Sequence, residues 1–416
     1  MKILFVADNR TRENWGCRAT SIALKDIVKQ NHNIIYTIYG DITGFYNPLL
    51  MHQKNTLLYK AYSFLYNRFS IVRRVSKIFD TANIIRETTE KSFCLYRRAV
   101  KNIPIYQEID KNIREADAVV INGEGTFIFS TPPRYDTIVY LLLLKVAQMY
   151  GKKTYCLNAM FSDSPTSEQN KVILDETKKI LMNCTLVTAR DPLSYAYCKE
   201  YIIPSVEYVP DALFSWNKFS SYMNLIYDYP LSALPFPEME NNWIDYNSPY
   251  ICLSGSSLAA KNQTEAKNAY KDLALALQKI GKVIIVSTCG GDAFLKDVAI
   301  ETGMPYLPAY LNIFAGLSLL SNATVFVSGR WHPSILASIG GTPCVFLGSN
   351  SHKTLAIQNM LEYHNPKEYA ATPSQSEISS IVEDVSVLLS QGDALRCTIK
   401  NKVKQLAEKA VAGYKI

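Results

Sequence analysis

Two residues able to bind an anion and move a proton, Arg330 and His332, lie in the run Thr324-Val325-Phe326-Val327-Ser328-Gly329-Arg330-Trp331-His332-Pro333-Ser334. A guanidinium grips phosphate or carboxylate through paired N–H donors, and an imidazole exchanges a proton near neutral pH. The apolar β-type residues before Gly329, and the proline that opens an apolar helix, place both groups at the carboxyl end of a strand. The helix start beside them offers free N–H groups and a favourable dipole end to an anion. Ser328 and Gly329 complete this candidate donor-binding turn. Ligands of open α/β sheets bind at this edge.

Four further segments carry groups suited to the same chemistry. In Asn122-Gly123-Glu124-Gly125-Thr126, two glycines flank a carboxylate after an apolar strand. Glu124 there is either a general base for a sugar hydroxyl or part of a turn with positive φ at both glycines. In Ala189-Arg190-Asp191-Pro192-Leu193-Ser194, Asp191 and Pro192 read as a helix cap and first helical position, which leaves Arg190 for function. In Asp8 to Arg18, Gly16 lets backbone approach a ligand beside Asn14 and Arg18. Gly348-Ser349-Asn350-Ser351-His352-Lys353 follows a later strand and adds Lys353 to the donor side.

The elements that must position these groups alternate regularly. Strands are predicted at Lys2 to Ala7, Asn33 to Tyr39, Asp117 to Ile121, Lys153 to Leu157, Thr185 to Thr188 and Glu207 to Val209, with helices between them. After a segment rich in Trp, Tyr, Pro and Asn the alternation resumes with strands Tyr250 to Ser254, Lys282 to Thr288, Thr324 to Val327 and Pro343 to Leu347. Such alternation implies parallel sheets covered on both faces. The expected architecture is α/β, with two Rossmann-like doubly wound domains facing a cleft. The first spans residues 1–213, residues 214–249 cross between domains, 250–390 form the second, and a final helix in 391–416 crosses back to the first.

Composition bounds the function classes. The 416 residues are 48% hydrophobic and 19% charged, which is ordinary for a globular chain of two or three domains. No apolar stretch is long enough to span a bilayer, and the start does not read as a signal peptide, so a cytoplasmic protein is expected. Nine cysteines stand singly, several inside apolar runs, and no His/Cys cluster has zinc-ligand spacing. Reduced cysteines and no structural metal are therefore expected.

Of the net charge of +7, an excess comes from residues 51–105, where eleven Lys and Arg face three Asp and Glu. Mixed with apolar residues, they read as a basic helical insertion. It is either a solvated helical layer with one side packed on the domain or a surface for the inner membrane face and an anionic acceptor. No nucleic-acid-binding module accompanies the charge.

The ordered set Asn14-x-Gly16, Asn122-Gly123-Glu124-Gly125-Thr126, Ala189-Arg190-Asp191-Pro192-Leu193-Ser194, Pro210-Asp211-Ala212-x-Phe214 and Gly329-Arg330-Trp331-His332-Pro333, with Lys353 beyond, resembles the polysaccharide pyruvyl transferase family. The resemblance implies two Rossmann-like domains of the glycosyltransferase B kind. It also implies transfer of the enolpyruvyl unit of phosphoenolpyruvate to a glycan or lipid-linked saccharide, giving a pyruvate ketal. Arg330, His332 and Arg190 would hold the donor, with phosphoenolpyruvate as co-substrate and no cofactor. Members commonly have Asn-x-Gly-Asp-Glu in the first loop, where this chain has Cys17 and Arg18. The reading alongside it is a glycosyltransferase of the same architecture using a CMP-, UDP- or GDP-linked sugar, since Pro333 after His332 is similar to the His-Pro pair of bacterial sialyltransferases. The altered first loop suits a third reading, a sugar-binding protein without turnover.

Overall fold

The structure is a computed structural model that describes residues 1–39, 68, 84–222 and 248–416. Most of the expected basic insertion and of the interdomain segment lies outside the described residues. The strands are β1 (Lys2–Asp8), β2 (Asn33–Tyr39), β3 (Ala118–Phe129), β4 (Lys153–Asp163), β5 (Leu186–Ala189), β6 (Glu207–Tyr208), β7 (Tyr250–Ser256), β8 (Lys282–Val286), β9 (Tyr306–Leu307), β10 (Val325–Gly329) and β11 (Cys344–Phe346). Among the described residues they form two parallel sheets, ordered β2-β1-β3-β4-β5-β6 and β11-β10-β7-β8-β9. In each, the chain reverses its direction of travel once: between β1 and β3 in the first, and between β7 and β10 in the second. Parallel strands buried on both faces explain the near-continuous apolar runs of β1, β3, β4 and β7.

The helices are α1 (Trp15–Lys29), α2 (Thr89–Asn102), α3 (Pro104–Glu115), α4 (Tyr135–Met149), α5 (Lys171–Leu181), α6 (Pro192–Tyr201), α7 (Gln263–Gln278), α8 (Phe294–Thr302), α9 (Ile313–Asn322), α10 (Trp331–Ile339), α11 (Lys353–Met360) and α12 (Gln375–Gly413). Local chemistry sets several starts. Asn14 caps α1 by accepting from the Cys17 amide, Asp191 caps α6 ahead of Pro192, and Ser374 with Glu377 makes a capping box for α12. The run α12 is two helices joined at Gly392, whose φ of 52° and ψ of −137° are not helical.

Of the predicted insertion, α2 is described. It buries Thr89, Ser92, Tyr96 and Ala99 and leaves Lys91, Arg97, Arg98 and Lys101 exposed. No helix among the described residues is long and apolar enough to cross a membrane.

The halves do not face each other across open solvent alone. One apolar core runs from Ile3, Phe5 and Trp15 through Phe214 and Trp216 to Leu317, Phe326, Trp331 and Ile335. Trp15 is fully buried, its indole N–H donates to Ala309 O at 2.9 Å, and its amide donates to Thr288 O at 2.9 Å. Gly316 leaves room for that indole, since a Cβ there would lie 2.7 Å from the ring. The last part of α12 returns to the first sheet, where the Tyr414 hydroxyl donates to Asn158 Oδ1 and Val209 O, each at 3.2 Å. Burial of this much shared apolar surface holds the two sheet edges in fixed register.

Candidate functional site

The carboxyl ends of the strands at both reversal points open into one cavity of ≈ 260 Å³, lined by residues of both halves. This is where open α/β sheets take ligands. From the first half come Asn9, Arg12, Asn14, Glu124, Arg134 and Arg190; from the second, Arg330, His332, Asn350 and Lys353.

The expectation for Glu124 needs correction. Residues 122–126 are not a loop after the strand but part of β3, which continues to Phe129 with its register broken between Glu124 and Phe127. Neither Gly123 nor Gly125 has positive φ; Glu124 does, at 44°. On the neighbouring strands Ala7 (φ 65°) and Asn158 (φ 57°) share that left-handed state. Non-glycine residues adopt it at a cost of about 1–3 kcal/mol each, and three on adjoining strands of one edge mark a place where surrounding contacts impose the backbone. Gly123 is required instead by close approach of β4, because a Cβ there would lie 2.5 Å from Ala159 Cβ. The Glu124 carboxylate accepts from Asn9 Nδ2, and its charge is felt by the nearby Cys17 thiol. Burial, then Glu124, pushes that thiol well up.

Arg330 is fixed from within the second half. Its Nη2 donates to Asp292 Oδ1, and Asp292, fully buried, also accepts the amide and hydroxyl of Thr288, each at 3.0 Å. Gly255 makes that carboxylate possible, since a Cβ at 255 would lie 2.1 Å from Asp292 Oδ1. Burial alone would lower the Arg330 guanidinium, but Asp292 holds it fully charged. Its Nε–H has no partner among the described residues.

His332 is held across the interface. Its Nε2 lies 3.2 Å from Asp211 Oδ2 and 3.2 Å from Arg190 Nη1. Its ring rests on Gly16, where a Cβ would come within 2.5 Å of both His332 Cβ and Nδ1. Asp211, fully buried, also accepts the Trp331 indole N–H at 2.9 Å, the Thr20 hydroxyl at 2.8 Å and the Leu213 amide at 3.0 Å. Burial alone would raise this carboxyl; His332 and then Arg190 overcome that and hold it far below the usual carboxylate range. Arg190, 2% exposed, lies with its guanidinium 4.8 Å from the Trp331 ring centre, and its Nε–H is unpaired among the described residues.

Lys353 Nζ donates to Asn350 Oδ1 at 2.7 Å. Burial, followed by the charges of Arg330, Arg190 and Arg134, pushes its ammonium down to about 7. The neighbouring guanidiniums thus add to burial in depressing this ammonium and make this wall of the cavity electropositive. His352 beside it sits 3.4 Å from Asp191 Oδ1 and 3.1 Å from the Ser194 hydroxyl, so the loop carrying Lys353 is tied to the loop carrying Arg190.

The structure therefore brings together Asn14, Glu124, Gly125, Thr126, Arg190, Arg330, His332 and Lys353 on the cavity wall. The remaining candidates lie behind it. Gly16 backs His332. Asn122 bonds Ala7 O, Ser21 and Asn158 beneath the floor. Ser328 bonds Gly255 O and accepts the Arg330 amide. Gly329 admits close approach of Ser256. Arg18 turns away to Arg12 O and Leu311 O.

Sequence reasoning gave no role to Asp211, Asp292, Arg134, Arg12 or Asn9. Asp292 had a legible signal, two glycines after a strand end, and Asp211 stood inside a quoted motif. Arg134, which donates to Gly125 O, follows Pro132-Pro133 with nothing local to mark it.

The polysaccharide pyruvyl transferase family model matches residues 22–351. The chain belongs to that family. The match ends short of Lys353 and begins after Asn14 and Gly16, yet the fold brings Asn14 and Lys353 to the same cavity wall, with Gly16 behind His332. No curated protein matches the chain in sequence. Among solved structures, a UDP-GlcNAc 2-epimerase from Neisseria meningitidis bound to UDP-GlcNAc is 12% identical, with a TM-score of 0.56, over 99% of this chain and 100% of its own. The Methanocaldococcus jannaschii UDP-GlcNAc 2-epimerase in complex with UDP-GlcNAc and UDP is 12% identical, with a TM-score of 0.52, over 98% and 100%. These likenesses show the fold of this polysaccharide pyruvyl transferase family member: two Rossmann-like domains of the glycosyltransferase B kind. The chain is a transferase of polysaccharide biosynthesis.

Proposed function

We propose that the protein transfers the enolpyruvyl unit of phosphoenolpyruvate to hydroxyls of a glycan and closes it to a pyruvate ketal. The observation that carries this reading is the gathering of Arg190, Arg330, Arg134, Lys353 and His332 on the wall of one cavity, with two buried guanidinium N–H groups unpaired among the described residues. Phosphoenolpyruvate bears a phosphate and a carboxylate on adjacent positions, and bidentate arginines suit both.

In this scheme His332 protonates the methylene carbon, with Asp211 neutralising the charge the imidazole carries before transfer. Glu124 accepts the proton of the attacking hydroxyl. Two C–O bonds form at the central carbon, the bond to phosphate oxygen breaks, and the second hydroxyl proton leaves with phosphate. No cofactor is needed for these steps. Calorimetric titration with phosphoenolpyruvate, UDP-GlcNAc and CMP-sialic acid, followed by phosphate-release assays with sugars, tests the reading. Binding of phosphoenolpyruvate and sugar-dependent phosphate release are expected; tighter binding of a nucleotide sugar with no phosphate released would overturn it.

The exposed Lys91, Arg97, Arg98 and Lys101 of α2 suit an acceptor presented at an anionic inner membrane face. Co-sedimentation with phosphatidylserine vesicles at low and high salt checks this; no salt-sensitive binding would count against it.

A further inference from the structure

Ketal formation needs two hydroxyls of one acceptor, and the site described so far accounts for only one of them. Asn9 stands next to the base candidate. It is 2% exposed, it lines the cavity, and its backbone N–H donates to the Ser21 hydroxyl oxygen at 2.9 Å. Its side-chain Nδ2 is committed to Glu124, which leaves the amide oxygen outward from that bond. That Oδ1 is buried and has no partner among the described residues. A buried acceptor left unmade costs as much as a lost hydrogen bond, so a site that retains one is complete only with a donor from elsewhere.

We propose that Asn9 is the residue that recognises the second hydroxyl of the acceptor, so that Glu124 and Asn9 together select a diol. The hydrogen bond between them sets the spacing. A carboxylate oxygen accepts the first hydroxyl and the adjoining amide oxygen accepts the second, which is the arrangement a pair of neighbouring sugar hydroxyls requires. Asn9 has no proton to move in this scheme; it is a positioning residue that keeps the second oxygen against the central carbon until phosphate has left.

The chemistry makes the role measurable. When the second hydroxyl attacks, the product is a ketal carrying a methyl group, and phosphate is released. When it does not, the same intermediate loses a methyl proton as phosphate leaves, and the product is an acyclic enolpyruvyl ether of equal mass. Both balance as phosphoenolpyruvate plus acceptor giving product plus hydrogen phosphate. Proton NMR separates them, by a methyl singlet for the ketal and vinylic signals for the ether.

This inference rests on the pyruvyl-transfer reading, and the test separates the two. Wild-type protein is incubated with phosphoenolpyruvate and methyl glucoside, galactoside, mannoside and N-acetylmannosaminide in turn, following phosphate release. Release with none of them removes the underlying reading, and the inference with it. With a sugar that is turned over, Asn9→Ala should lower the ketal-to-ether ratio at least about tenfold, the scale of one hydrogen bond to a buried group. Wild type given the same sugar lacking one hydroxyl should give the ether as well. If Asn9→Ala is folded by circular dichroism and yields ketal in the wild-type ratio, at any rate, Asn9 does not hold the second hydroxyl. If that variant does not fold, Asn9→Ser, which shortens the side chain but keeps a polar group, replaces it with the same two outcomes.

Discussion

Asp211 of the first half and His332 of the second meet at 3.2 Å in the closed core of the molecule. The imidazole is thus positioned by a carboxylate that its own domain does not supply, and the site is whole only when both halves are packed together. Asp211→Asn keeps the size of the side chain and removes its charge. Turnover should fall at least about tenfold with a smaller change in affinity for phosphoenolpyruvate, read as a kcat against KM split. A carboxyl depressed in the folded state contributes stability that is present above its unfolded value of about 3.9 and is lost as pH falls through the folded value. Asp211→Asn should therefore be less stable at neutral pH, while losing less of its remaining stability than wild type on acidification. Urea denaturation at neutral and acid pH checks the sign.

His332→Ala should cut turnover at least about a hundredfold with the fold intact, the usual scale for a lost general acid. Gly16→Ala should approach the same loss without touching the imidazole chemically, because the new methyl would occupy the space of His332 Cβ and Nδ1. Steady-state turnover with phosphoenolpyruvate measures both, and wild-type rates in either variant would remove His332 from the reaction.

Lys353 gives a pH dependence with a definite sign. Burial and the neighbouring arginines push its ammonium down to about 7, against a usual value near 10.4. Between those values the unfolded chain binds the extra proton, so unliganded stability should rise with pH over that range. A bound polyanion restores the proton, so affinity for phosphoenolpyruvate should fall up to about tenfold per pH unit above 7. Calorimetry in buffers of different ionisation enthalpy should show proton uptake on binding at pH 8, absent in Lys353→Met. Equal affinities at pH 7 and 9 would count against the role.

Arg330 and Asp292 form the second supported cation. Arg330→Lys should weaken donor binding at least about tenfold, since a point charge does not replace a planar fork. Gly255→Ala should act in the same direction by displacing Asp292, while leaving the His332 to Asp211 contact in place. Titration with phosphoenolpyruvate distinguishes this from a general loss of fold.

Much of this arrangement was legible in the order of residues. Apolar runs alternating with amphipathic ones fix parallel strands, because local hydrophobic period and helix-capping chemistry need no distant partner. Strand ends followed by Arg190, Arg330, His332 and Lys353 could be placed on one edge for the same reason. What tertiary structure alone decided are the pairings. Arg190 and His332 stand 142 positions apart, and Trp331 and Asp211 stand 120 apart. No local pattern encodes which buried aspartate answers which cation, because that depends on how two sheets dock through a common apolar core. The left-handed backbone of Glu124 is of the same kind: two glycines beside it advertised the freedom, but packing against β4 and the bond from Asn9 assigned the strained conformation to the carboxylate itself. Sequence determined which groups reach the edge, since strand and helix boundaries are local; the docked fold determined which of them meet, since buried charges find partners only in three dimensions.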